Sequence, residues 1–220
     1  MDSQLPCFFR NRPQVPRITY FCINFMSKNC LLGIGWCLLI AGLIAGCSKS
    51  GTSPNSTSEP ECGVERWHVK ILTDPDTSSI NWTPVTTTLA VQNSYPKLTV
   101  SEDTTRMAFE DSVVTVKCTI VAFKREDDKD IHLIIVDDAK DSMIAEIPST
   151  ECAEVAASAY ASDFDAASQW VTTNLGIPST SFKNVNKTAT VTGVLFQDFN
   201  HGQDGHAKNY REIHPVTKIE

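Results

Sequence analysis

From residue 112 the chain alternates. In SVVTVKCTIVAFK (112–124), Val114, Val116, Cys118 and Ile120 share one side of an extended backbone, the period-two pattern of a strand with one buried face. REDDKD (125–130) reads as a charged turn, IHLIIVDD (131–138) as a mostly apolar strand, DDAKDS as a tight turn and MIAEIP (143–148) as a further strand. The period then changes. Residues 152–175 are rich in alanine, with Tyr160, Phe164, Ala167 and Val171 at helical spacing and Gly176 placed to end the helix. That stripe reads as core packing. TATVTGVLFQDF (188–199) and YREIHPVTKIE (210–220) are two more strands. Three strands, a helix and two strands predict a mainly β fold over 112–220, an OB-like five-stranded barrel with one helix between strands three and four. Closure would also protect the sheet edges.

The pattern ahead of residue 112 is weaker. Within 62–111, ERWHVKIL reads as a strand, TDPDTSS as a turn and TPVTTTLAV as extended, while SYP and SEDTTRM are loop-like. So few large apolar groups make a poor core, so this N-terminal β segment is expected to pack on the barrel.

Residues 30–46, CLLGIGWCLLIAGLIAG, form an uncharged apolar run that ends in IAGC. Small residues just before Cys47 resemble the lipobox of bacterial lipoproteins, which implies lipid on Cys47 and a membrane hold through acyl chains. The competing reading is a short signal-anchor helix, at the low edge of a spanning length. Met26, followed by Lys28, makes a better start than Met1, so nothing functional is placed in 1–25. The expected organisation is a signal region at 1–46, the lipidated cysteine and a polar tether at 47–61, then the segments 62–111 and 112–220. Ser48 resembles the outer-membrane sorting position of Gram-negative lipoproteins. The expected location is the bacterial cell envelope, in the outer membrane or on the outer face of the cell membrane.

Four of the eight cysteines remain from Cys47 onward: Cys47, Cys62, Cys118 and Cys152. In an oxidising compartment one disulfide is natural. The alternation points Cys118 into the core, where it acts as a small hydrophobe, and leaves Cys62 and Cys152 as the predicted pair. Charge excludes one class of partner. Beyond Cys47 lie 15 of the 19 basic and 25 of the 26 acidic residues, a net of −10. Such a surface repels a phosphate backbone, so no nucleic acid is expected.

The chemistry concentrates in NHGQDGHAKNYREIHPV (200–216), which holds His201, His206 and His214 beside Asp204 and Glu212. On a strand, Glu212 and His214 would share a face, as would Asp130 and His132 at the same i, i+2 spacing. Converging with His201, these residues would offer a divalent metal the set His132, His201, Glu212 and His214. The competing reading makes His132 and His214 structural, hydrogen-bonded at a barrel end, with His206 an exposed loop residue; no H-x-x-x-H or H-E-x-x-H spacing fixes ligands locally. Gly202 and Gly205 predict a tight connection with positive φ, and Gly202, Gln203 and Asp204 border the usual OB ligand face. That stretch reads either as a binding loop or as a plain turn.

Nuclease chemistry needs arginines set against a phosphate, and Arg66, Arg106, Arg125 and Arg211 are scattered. The acidic runs EDDKD and DDAKD read more simply as solvated turns. No G-x-S-x-G motif is present, which argues against a serine hydrolase. In ERW, Arg66 could stack on Trp67 for recognition; the preferred reading has Trp67 anchoring the segment, with Glu65 and Arg66 paired near the surface. Trp82, Trp170 and Tyr210 are the candidates for an oligosaccharide platform.

Taken together, CGVERWHVK, EDDKDIHLIIVDD, MIAEIPSTEC, VTGVLFQDFNHGQDG and REIHPV resemble a group of uncharacterised exported bacterial proteins that carry these blocks in this order over 62–220. The resemblance implies an OB-like domain outside the cytoplasm and supplies no reaction. HGQTGVAPN is the commoner form of the block written here as HGQDGHAKN, which makes His206 peculiar to this chain. The expectation is a lipid-anchored envelope protein acting as a non-catalytic binding or structural module. Its partner would be an envelope protein, a glycan or a small ligand, with no required cofactor. The alternative is a metal-dependent hydrolase, phosphodiesterase- or nuclease-like, built on His132, His201, Glu212 and His214.

Overall fold

The computed structural model describes residues 62–220; the expected targeting segment, Cys47 and the tether lie outside them. Six strands form one sheet: β1 (Asn81–Thr87), β2 (Ser112–Arg125), β3 (Ile131–Val136), β4 (Ser142–Ile147), β5 (Lys183–Gln197) and β6 (Arg211–Ile219). Their order is β1-β2-β3-β4-β6-β5, and β5 pairs back onto β2, so β2 to β6 close into a ring. The mainly β expectation holds. Neighbours run antiparallel except β1–β2 and β4–β6. β2 serves three partners because β1 pairs with Ser112–Val116, β3 with Thr119–Arg125 and β5 with most of its length. The register shift between Ile120 and Ala122 bends it and raises its twist. β5 and β6 cross so closely that a Cβ on Gly193 would run into the Pro215 carbonyl.

Apolar side chains that alternate inward fill the ring, among them Val116, Ile120, Leu133, Ile135, Ala145, Ile147, Leu195 and Ile213. Cys118 joins them, unpaired. Helix α4 (Ala161–Asn174) adds Phe164, Ala167 and Val171 and packs on β6 and β4. Among the described residues no helix is long and apolar enough to cross a membrane.

Three local expectations are corrected. ERWHVKIL is not a strand: Glu65 and Arg66 take left-handed backbone (φ 46° and 51°) and lead into the helical turn α1 (Trp67–Lys70). The expected extended piece TPVTTTLAV divides, because the Thr88 hydroxyl accepts from Val91 N–H (3.2 Å) and caps a short helix, α2 (Leu89–Asn93). The helix expected over 152–175 breaks into α3 (Ala153–Ala156) and α4. At the break, Ser158 Oγ donates to the Ile71 carbonyl (3.0 Å) and the Tyr160 ring stacks on Trp82 (centroids 4.6 Å apart). Tertiary partners there outcompete one helical turn.

Two arginines pin 62–111 to the ring. The Arg66 guanidinium grips the Glu110 carboxylate at both ends (2.8 and 2.6 Å) and also donates to the carbonyls of Thr104, Thr105 and Gln197. Glu110 in turn accepts from Gln197 N–H (2.8 Å). The expected Glu65–Arg66 pair is thereby replaced. Arg106 holds Asp74 (2.6 Å) and caps the carbonyls of Val69 and Glu110. Trp67 does anchor the segment, packing on the core and donating its indole N–H to Glu154 (2.7 Å). Cys62 and Cys152 form the predicted disulfide, bridging 90 residues of sequence.

Candidate functional site

Leu133, Ala145, Ile147, Leu195 and Ile213 point into the ring, so their strand neighbours must face outward. That outer face is polar and still buried. His132 stands opposite Glu146 across β3–β4, and Glu212 opposite Phe196 across β5–β6; all four, with His214, are at most 6% exposed. Their cover comes from the segment after Cys62 and from the loop joining β5 to β6. Arg66 and Lys70 lie over the Phe196 ring (4.7 and 5.5 Å to its centroid). Gly205, with φ +82°, packs so tightly on Ile134 that a Cβ would strike it.

Two imidazoles share one carboxylate here. His132 Nδ1 lies 2.8 Å from Glu146 Oε1 and 3.0 Å from Glu126 Oε1. His214 Nδ1 lies 3.0 Å from Glu146 Oε2, and its Nε2 lies 3.5 Å from Asp130 Oδ2. Burial opposes the charge on His132, but Glu126 and Glu146 outweigh it and push its pKa up to about 9. Against burial, Asp130 and Glu146 likewise raise His214. Burial would raise Glu146, yet the two imidazoliums hold it well below the usual carboxylate range. The result is an alternating chain of charge, Glu126–His132–Glu146–His214–Asp130. The carboxylates favour the protonated form of both imidazoles, and a metal would have to displace those protons to bind there.

Beside this chain opens a cavity of about 410 Å³. Four segments far apart in sequence line it: Val64, Glu65 and Lys70; Glu126, Asp127 and Asp128 of the β2–β3 turn; Glu146 of β4; and Asp198, His201 and Gln203 of the β5–β6 loop. Six carboxylates thus face one lysine and one histidine. Lys70 is only 4% exposed and makes no hydrogen bond or ion pair among the described residues. Burial opposes its charge, but Glu146, Asp198, Glu212 and Asp128 outweigh burial and hold its pKa above the ordinary lysine value. Burial, then Asp130 and Glu146, push Asp128 up to about 6. Burial, then Asp198 and Glu146, push Glu212 well above the carboxylate range.

The four expected metal ligands do not make one donor set. His132 and His214 flank Glu146 inside the wall, and Glu212 lies among none of the three donor clusters of the described residues. His201 belongs to a separate cluster at the cleft mouth, 2.9 Å from Glu65 Oε2 and 3.6 Å from Asp198 Oδ2. Of the expected binding stretch, Gln203 lines the cavity, while Gly202 (φ +67°) and Asp204 are exposed. His206 stacks on Tyr210 (4.8 Å), which occupies that platform candidate. Trp170 packs against the core, and Trp82, 40% exposed, stacks with Tyr160.

Sequence reading missed Lys70, Glu126, Asp128, Glu146 and Asp198. One signal was available: Glu146 is a carboxylate in the middle of the apolar strand MIAEIP, and a charge on a buried strand marks a partner or a site. Backbone strain gathers here too, for the non-glycine residues Glu65, Arg66, Lys129 and Tyr210 all have φ between 46° and 79°. Such conformations persist only where the surroundings enforce them. Comparison of the chain with protein-family models, with curated proteins and with solved structures gives no match.

Proposed function

We propose that the chain is an exported, lipid-anchored envelope protein whose folded part is an OB-like binding module, taking a small polar ligand into the cleft. The ring order β2-β3-β4-β6-β5, the parallel β4–β6 pair and the helix between β4 and β5 support the OB-like assignment. In that assignment the β2–β3 turn and the β5–β6 loop are the two connections that flank the ligand face of such domains, and both line the cavity. The observation that carries the reading is Lys70. Its ammonium lies over the Phe196 ring among Glu146, Asp198, Glu212 and Asp128. It makes no hydrogen bond or close ion pair among the described residues, which leaves its donors free for a polar ligand in the open cavity. Aromatic platforms for a glycan are absent from the cavity lining among the described residues, and the surplus of carboxylates argues against nucleic acid. The test is backbone amide NMR with small amines, amino acids, carboxylates and sugars. Shifts confined to 126–130 and 198–205, and lost in Lys70→Met, support the cleft. Shifts centred on Trp82 and Tyr160 reject it.

The second reading, a metal-dependent hydrolase, is favoured by buried Glu212 beside Asp198, its pKa raised by burial and by Asp198, and by the donors at the mouth. It lacks an arginine for a phosphate: Arg66 and Arg106 are saturated by protein partners, Arg125 pairs with Glu151, and Arg211 is wedged between Tyr95 and Phe109. Turnover of a phosphodiester with added Mn²⁺, abolished in Asp198→Asn, would establish it.

A further inference from the structure

We propose that Glu65, Asp198 and His201 form a divalent-metal site at the mouth of the cleft, open on its inner side toward Lys70. The inference rests on the reading of this cleft as a ligand site and names what is held there. The donor atoms are already placed. His201 Nε2 lies 2.9 Å from Glu65 Oε2 and 3.6 Å from Asp198 Oδ2, and the three groups have ligand atoms all within 4.8 Å of one another. A metal bound at about 2.0–2.2 Å to nitrogen and oxygen needs its ligands roughly 3–3.5 Å apart. The trio meets that spacing with small rotations.

A surface ion pair between His201 and Glu65 would account for the first distance alone. Two further observations point beyond it. Asp198 is 6% exposed, and its Oδ1 is buried with no hydrogen-bond partner but the neighbouring Glu212 carboxyl, a pair of acids that a shared proton or a nearby cation must reconcile. Lys70, 4% exposed and without a hydrogen bond or ion pair among the described residues, lines the same cavity. A metal at the mouth would satisfy the Asp198 carboxylate, and a water or anionic group on its open side would meet the Lys70 ammonium.

The backbone fixes the donors from separate directions. Asp198 follows β5 and its N–H donates to the Tyr210 carbonyl (2.9 Å). Glu65 is turned toward the cleft by its left-handed backbone, directly before Arg66, which is locked on Glu110. His201 lies one turn beyond Asp198. Glu65 and His201 side chains are 24% and 33% exposed, enough for an ion to enter and leave. The two inner clusters differ on this point, because the His132 and His214 side chains are fully buried between carboxylates. One imidazole with two carboxylates and vacant positions suits borderline ions, zinc or manganese, rather than an all-oxygen calcium cage.

The test is titration of the metal-free full chain in detergent with Mn²⁺, followed by loss of the free-ion EPR signal and by calorimetry. Mn²⁺ is chosen because it binds thiols poorly. One equivalent is expected, with affinity reduced at least 30-fold in His201→Ala and in Asp198→Asn and about 10-fold in Glu65→Gln. His201 is on the surface, so His201→Ala should unfold at the same temperature as the parent without metal, which separates lost ligation from lost fold. No binding at millimolar Mn²⁺, or binding unchanged in His201→Ala and Asp198→Asn, overturns the site. The amide-shift experiment on the cleft, run on metal-free protein, tells which reading has failed. Ligand shifts at 126–130 and 198–205 without Mn²⁺ binding reject the metal alone, and the loss of both rejects the cleft.

Discussion

Raising the pH should dismantle the charge chain around Glu146 as His132 gives up its proton. His132 keeps its proton to about 9 in the folded protein, against 6.5 for an ordinary histidine. Below pH 6.5 the folded and unfolded chains both hold that proton, and its full stabilisation is present. Between 6.5 and 9 the unfolded chain has released the proton while the folded chain retains it, so stability falls as pH rises and the contribution is gone above 9. A difference of roughly 2.5 pH units at 1.36 kcal/mol per unit amounts to about 3 kcal/mol. His214, raised in the same direction, adds to the fall. The groups that face His132 are Glu126 and Glu146, with Lys124 paired to Glu126 and the Phe182 ring edge-on. The assay is urea unfolding at pH 6, 7, 8, 9 and 10, followed by tryptophan fluorescence, on the parent and on His132→Gln. The variant is less stable at pH 6 and loses much less between 6.5 and 9. A parent curve flat across that window, or an equally steep loss in His132→Gln, refutes the linkage to His132.

Three other outcomes follow from packing. Arg66→Met leaves the Glu110 carboxylate buried and unpaired and should cost about 3–5 kcal/mol in denaturant unfolding, whereas Arg66→Met with Glu110→Leu recovers most of it; an additive double variant rejects the pairing as the cause. Opening the Cys62–Cys152 bridge with Cys62→Ser and Cys152→Ser frees a 90-residue loop and should lower stability by roughly 4–5 kcal/mol, an effect that dithiothreitol reproduces in the parent and not in the variant. Gly193→Ala forces a methyl group against the Pro215 backbone and should cost about 2–3 kcal/mol, with amide exchange quickened along β5 and β6 first; unchanged exchange there would place the strain elsewhere.

The strands were legible because each has one face in the ring, so alternation in SVVTVKCTIVAFK or its like carries the whole signal. The cysteine pair was legible by elimination, once alternation had put Cys118 inside. The segment after Cys62 was not. Trp67, Val69 and Ile71 alternate as a strand would, but the backbone there is set by Arg66, whose partners lie 38 to 131 positions away. No local pattern announces left-handed φ at two consecutive non-glycine residues. The cleft stayed hidden for a related reason. Lys70, Asp198 and Asp128 look like ordinary surface charges in sequence and acquire meaning only through burial against one another. The histidines drew the eye correctly to the region, but it is the carboxylates between them that organise it.

The disulfide has a mechanical side. Cys62 is the first described residue, and its partner Cys152 lies just beyond β4, deep in the ring's own connectivity. Tension arriving along the polypeptide from residue 61 is therefore diverted at Cys62 into the frame through the sulfur bridge. Glu65, Arg66 and Lys70 begin only past that junction. The bridge acts as a strain relief, so the chain can be tugged from its N-terminal side without the mouth of the cleft being pulled open.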